Sequence, residues 1–183
     1  MNVRSIHIVR VISATLGVVL LGFVLVLATR DGGVGTQSSS PLIGELVPHI
    51  EGIGFNGESF DIDEVTSGWV LINFFASWCV PCVREHPELV EWSRRHRADG
   101  VVVSVPFGDT ERDARAFFAA HGGDWPVLMD NGSMWAVAFG VLRPPESFLA
   151  APGGIVVAKW QGQITADEVD HVVSKLQERN AQS

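Results

Sequence analysis

Trp69-Val70-Leu71-Ile72-Asn73-Phe74-Phe75-Ala76-Ser77-Trp78-Cys79-Val80-Pro81-Cys82 runs from an almost unbroken apolar stretch directly into a Cys-x-x-Cys pair. A continuous apolar run such as Trp69–Phe75 is the pattern of a central strand covered on both faces. A helix is expected next, from about Val80 to Arg97. Leu89, Val90 and Trp92 keep an apolar side, and Arg94, Arg95 and Arg97 gather near the end, where positive charge complements the helix dipole. Pro81 pre-sets helical φ and removes an N–H that would be unpaired in a first turn.

That context gives the two cysteines a chemistry. The first amide groups of a helix are unpaired and carry partial positive charge. A sulfur of Cys79 at the cap would sit against them, which favours thiolate, the attacking species in disulfide exchange. Cys82 falls one turn on, within disulfide reach and expected farther from solvent. A purely structural bridge is a poor alternative, because a loop this short removes little unfolded-state entropy. A zinc site needs four ligands, and the chain has only these two Cys. Its six His, at 7, 49, 86, 96, 121 and 171, lack the spacing that would complete such a site. Covalent haem attachment needs His directly after the second Cys, and Val83 stands there. Redox exchange remains.

Outward from this core the chain alternates strand and helix signals. Residues 42–66 suit a small hairpin turning at Asn56-Gly57. Val101–Val105 reads as a second strand, and Glu111–His121 as a helix with Phe117 and Phe118 inward, ended by Gly122-Gly123. Residues 126–129 suggest a short strand and Met134–Phe139 a short helix. Ser147–Ala150 and Ile155–Trp160 suggest a hairpin around Pro152-Gly153-Gly154. A last helix begins at Thr165, where Thr165-Ala166-Asp167-Glu168 has the capping-box form. The implied architecture is an α/β sandwich with a mixed sheet.

Val11–Thr29 carries no charge over 19 residues, about the length that crosses a hydrocarbon core. Leu27-Ala28-Thr29-Arg30 offers no good small-x-small cleavage site, which favours an uncleaved signal-anchor over a removed signal peptide. Arg4 and Arg10 precede the segment, so the positive-inside rule places residues 1–10 in the cytoplasm and the rest of the chain beyond the membrane. The expected organisation is a cytoplasmic segment over 1–10, a transmembrane anchor over 11–29, a flexible Gly/Ser-rich linker over 30–41 and a folded domain over 42–183. The cysteines would then work in an oxidising, extracytoplasmic compartment. Net charge is −8, and residues 1–30 hold three Arg and no acid, so the remainder carries about −11. Such a surface repels phosphate backbones and argues against a nucleic-acid partner.

At the cysteines a family resemblance becomes specific. Leu71 through Cys82, followed by Arg84-Glu85-His86-Pro87, resembles the thioredoxin-like proteins of the TlpA/ResA and CcmG/DsbE group. The likeness continues through Val105-Pro106-Phe107-Gly108-Asp109 and Phe139-Gly140-Val141 to Pro145-Glu146-Ser147-Phe148-Leu149, so it spans roughly residues 42–178. It implies a thioredoxin-like fold, an α/β arrangement in which helices flank the sheet, and a thiol–disulfide oxidoreductase with no cofactor beyond the Cys79–Cys82 couple. The Glu-His-Pro and Pro-Glu-Ser-Phe pieces are most similar to the CcmG/DsbE branch, which keeps the haem-attachment cysteines of apocytochrome c reduced. A membrane thiol carrier would supply the electrons.

The resemblance also implies roles. Cys79 would be the nucleophile, Cys82 the resolving thiol and Pro145 the cis-proline beside them; an X–Pro bond such as Pro144–Pro145 is eligible for that isomer. Pro87 would be structural. Asn73 stands where classical thioredoxins carry a buried Asp, and Glu85 is the replacement proton acceptor, against the plainer reading of a solvated helix residue. Trp78 would pack beside the pair and offer an apolar contact to a peptide. Glu146 is expected to line an acidic substrate groove. His86 is read as a surface or packing residue. Two other functions stay open: a general extracytoplasmic oxidase or broader TlpA-like redox protein, and a metal-binding chaperone using both thiols and a His. The Val80-Pro81 dipeptide does not fix the direction of electron flow.

Overall fold

The structure is a computed structural model that describes residues 13–23, 36–65 and 67–182. The chain divides into two compact units, 1–32 and 33–183. In the first, residues 13–23 are helical and exposed. Among the described residues no helix is long and apolar enough to cross a membrane. Residues 11–12 and 24–29 of the expected anchor lie outside the described residues.

In the second unit a five-stranded sheet has the order β1-β7-β6-β4-β5, built from β1 (Thr36–Gln37), β4 (Trp69–Phe75), β5 (Gly100–Pro106), β6 (Glu146–Ala150) and β7 (Val156–Gln161). The β4–β5 pair is parallel and the others are antiparallel, so the sheet is mixed. A separate hairpin joins β2 (Glu51–Ile53) to β3 (Ser59–Asp61), with Gly57 at φ 85° in its turn. A one-turn 3-10 segment, Ile62–Glu64, follows it. The helices are α1 (Val80–Arg95), α2 (Glu111–His121), α3 (Met134–Phe139) and α4 (Ala166–Ala181). Thr165 and Glu168 close the expected capping box at the start of α4.

Every residue of β4 is buried, which explains its unbroken apolar run. Its alternate side chains feed two cores. Trp69, Leu71 and Phe75 join Leu89 and Trp92 of α1, Phe117 of α2, and Val169 and Val173 of α4. Val70, Ile72 and Phe74 join Phe139 of α3, Phe148 and Ile50. Asn73 shares the first face, so a polar side chain from the middle of the sheet points toward α1.

The strand expected at 126–129 is reduced to a single bridge between Ser104 and Val127. Ser104 N–H donates to the Pro126 carbonyl and its own carbonyl accepts from Leu128 N–H. Pro126 has no N–H to extend the ladder.

Candidate active site

β4 delivers the chain to the edge of the sheet at Phe75, and a tight turn follows in which Cys79 N–H donates to the Ala76 carbonyl at 3.1 Å. Cys79 is the N-cap of α1 with extended backbone, φ −87° and ψ 104°. Its Sγ accepts from Cys82 N–H at 3.2 Å, the cap contact expected of a sulfur placed against unpaired helix amides. Pro81 occupies the first turn. The two sulfurs are joined as a disulfide across a Cα–Cα distance of 5.2 Å. Cys79 and Cys82 are both buried in the oxidised form, 5% and 4% exposed.

The flanks of the pair are open. Trp78 and Val80 are 61% and 60% exposed. The Trp78 indole N–H donates to the Gly108 carbonyl at 3.2 Å, which holds the ring against the β5–α2 loop and leaves its face to solvent. Asp109 of that loop accepts from Ser77 N–H at 2.6 Å and from Ser77 Oγ at 3.1 Å. The turn carrying Cys79 is thus fixed by a carboxylate that the sequence reading did not single out.

Pro145 follows Pro144 through a cis peptide bond. Phe74 pairs with Glu146 across the β4–β6 ladder, so Pro145 lies one step further, at the same sheet edge from which the Cys79 turn departs. The loop ahead of it exposes Leu142 and Arg143.

Glu85 is not a solvated helix residue. It is 1% exposed, and Asn73 Nδ2 donates to its Oε1 at 2.8 Å. Ser147 on β6 takes a second bond from Asn73 at 3.0 Å and lies 3.4 Å from the carboxyl. Burial pushes the Glu85 titration up to about 8, while hydrogen bonds from Ser147, the backbone at Ile164 and Asn73 pull it part of the way back. Such a carboxyl is mostly protonated at neutral pH. It follows Cys82 by three residues on α1, which makes the two helix neighbours.

His86 is a packing residue. It is 3% exposed, edge-on to Phe117 and Phe118, and its Nε2 lies 2.8 Å from the Gly122 carbonyl. Burial holds its titration below the ordinary histidine range.

The groove expectation for Glu146 is corrected. Glu146 is 1% exposed, and its Oε1 accepts from Leu142 N–H and Arg143 N–H at 2.9 and 3.2 Å. Its Oε2 is 2.8 Å from Lys159 Nζ. The carboxylate faces inward because β6 is covered on both sides, and it holds the loop from behind instead of lining a groove.

The Redoxin family pattern matches residues 43–182. The chain belongs to the Redoxin family. This redoxin is 25% identical over 166 residues to the thiol-disulfide oxidoreductase ResA of Bacillus thuringiensis subsp. konkukian, covering 86% of the chain and 96% of that relative. It is 30% identical over 139 residues to the thiol:disulfide interchange protein HelX of Rhodobacter capsulatus, covering 74% and 77%. The DsbE homolog of Paracoccus denitrificans is 33% identical over 132 residues, covering 70% and 72%. A crystal structure described as a thiol:disulfide interchange protein DsbE from Chlorobium tepidum superposes with a TM-score of 0.67 at 26% identity, over 73% of this chain and 96% of that one. The fold is thioredoxin-like, and the redoxin is a thiol–disulfide oxidoreductase of the ResA/DsbE type that works through its cysteine pair.

Proposed function

We propose that the chain is a membrane-tethered, extracytoplasmic reductase whose substrate is the disulfide of an apocytochrome c haem-attachment motif. Residues 11–29 anchor it, residues 1–10 stay in the cytoplasm, and a tether shorter than the expected 30–41 links anchor to domain, because Thr36 and Gln37 already pair with Gln161 and Trp160 of β7. The observation that carries the reading is a cysteine pair at the cap of α1 with a buried, mostly protonated carboxyl one turn further along the same helix.

In the forward half-reaction the Cys79 thiolate attacks the substrate disulfide, forming a mixed disulfide and releasing one substrate thiolate. Cys82 loses its proton to ionised Glu85 and attacks Cys79 Sγ. The mixed disulfide breaks, the substrate leaves as a dithiol, and both electrons it gained come from the cysteine pair. In the return half-reaction a dithiol on a membrane carrier attacks the Cys79–Cys82 disulfide. Neutral Glu85 then supplies the proton for the departing Cys82 thiolate, and the carrier keeps the new disulfide. A residue with its pKa near working pH can serve in both directions. Trp78 and the Leu142–Pro145 loop flank the pair and receive the substrate peptide.

The cytochrome assignment is supported by Glu85-His86-Pro87 and Pro145-Glu146-Ser147-Phe148, and by likeness to proteins named HelX and DsbE. Cys79→Ser is expected to abolish assembly of c-type cytochromes, with rescue by an added thiol reductant. Normal cytochromes in that strain would assign the chain a broader redox role. The potential of the couple should lie nearer the roughly −270 mV of a reductant such as thioredoxin than the roughly −120 mV of strong disulfide donors. A value at the oxidising end would make the chain an oxidase.

A further inference from the structure

Lys159 is an anomaly in β7. It stands in Val156-Val157-Ala158-Lys159-Trp160 and is 5% exposed. Its Nζ passes 4.9 Å from the centroid of the Phe148 ring, donates to the Gly140 carbonyl at 3.3 Å and lies 2.8 Å from Glu146 Oε2. The other oxygen of Glu146 takes the N–H groups of Leu142 and Arg143. One ammonium thus engages a carbonyl at the start of the 140–145 loop directly, and two amides in its middle through a carboxylate. The far end is held separately, by the Gly162 N–H on the Pro145 carbonyl at 2.9 Å. A buried ion pair is a poor source of net stability, because desolvation of both charges offsets their attraction and apolar residues of equal volume often do as well. What this pair does supply is a fixed backbone between Gly140 and Pro145.

We propose that Lys159 is a positioning residue for substrate docking: it holds Glu146, and through it the Leu142–Pro145 loop, in the shape that receives a peptide beside Cys79. The inference rests on the reading that substrate peptides dock on that loop. Charge assistance matters here: Lys159 Nζ lies 2.8 Å from one oxygen of Glu146 while the other accepts both loop amides, and hydrogen bonds within such a charged pair are the stronger kind. The loop exposes Leu142 at 78% while its amides are tied inward, so an apolar contact faces the substrate from a rigid backbone.

The test uses the full chain, returned to the dithiol by excess dithiothreitol with the uncatalysed rate subtracted, and takes an oxidised Cys-x-x-Cys-His peptide and glutathione disulfide as substrates. Lys159→Met alone would strand a buried carboxylate, so it is combined with Glu146→Gln, which matches the volumes. The double variant should show KM for the peptide raised about tenfold with kcat changed less than about twofold, because the loop must then be ordered at the expense of binding while the chemistry at Cys79 is untouched. Lys159→Arg, which keeps the charge, should retain the original KM. A folded double variant with unchanged KM would overturn the inference while leaving the docking reading in place. No saturation by the peptide and no preference over glutathione disulfide in the unmodified chain would sink the docking reading, and this one with it. Should the double variant not fold, amide hydrogen exchange on the unmodified protein decides: Leu142 and Arg143 must exchange at least about a hundredfold slower than free peptide, and unprotected exchange refutes the clamp.

Discussion

A carboxyl that titrates near 8 inside the fold has consequences at the scale of one residue. Unfolded, Glu85 would lose its proton near 4.3; folded, it keeps that proton to about 8. Between these values the native state binds the extra proton, so stability falls as pH rises and the penalty is complete above 8. The oxidised protein should therefore melt at progressively lower temperature from pH 5 to 8.5, and Glu85→Gln should flatten that slope. Parallel profiles for the two would show that Glu85 ionises normally. On the proposed role of Glu85 as proton acceptor for Cys82, the same substitution should slow resolution of the mixed disulfide about a hundredfold. Rapid quenching would show the mixed disulfide accumulating; an unchanged rate would leave solvent as the acceptor. The position of Glu85 was readable once the Cys pair and its helix had been recognised. Its partners were not, because Asn73 and Ser147 meet it only through the register that sets Asn73 opposite Ser147. The orientation of Glu146 was hidden for a related reason: both faces of β6 are buried, so alternation along the strand cannot tell an inward carboxylate from an outward one.

At the scale of elements, the end of α2 does more than stop a helix. Gly122 caps it at φ 79°, and the Gly122 carbonyl receives His86 from α1, so the turn links the redox helix to its neighbour. Gly123 stands at φ 108°, and a Cβ there would lie 2.9 Å from ring atoms of both Phe118 and Trp125. A Cβ on Gly122 would meet nothing within 4 Å. Gly122→Ala should therefore cost only the backbone penalty of a φ 79°, ψ −162° conformation that glycine alone adopts readily, about 1–3 kcal/mol, whereas Gly123→Ala adds overpacking worth about 1–3 kcal/mol more. Urea midpoints for the two variants measure the difference; equal midpoints would mean that the aromatic wall yields freely. The glycine pair announced this helix end in the sequence, as Asn56-Gly57 announced the hairpin. The apolar stretch at 126–129 misled, because hydrophobicity there records burial beside β5 and Pro126 forbids a longer ladder.

The whole chain joins a compact, acidic domain to an uncharged amino-terminal stretch by a short Gly/Ser-rich segment. Unit 33–183 has its own two cores, so the chemistry does not depend on the amino-terminal unit. If residues 11–29 anchor the chain, their contribution is concentration: a short tether confines the Cys pair to an effective concentration of about millimolar near membrane-bound partners. A chain lacking residues 1–29, exported by a cleavable signal, should fold and exchange with glutathione disulfide at the full-length rate. At native expression it should fail to support c-type cytochrome assembly, and strong overexpression should restore assembly by replacing the lost local concentration. Full-length protein should sediment with membranes and resist extraction by high salt, which releases charge-held proteins and leaves an apolar anchor in place. Normal cytochrome assembly by the truncated chain at native expression would show that the carrier and the apocytochrome are reached by free diffusion, and that the uncharged segment has some purpose other than confinement.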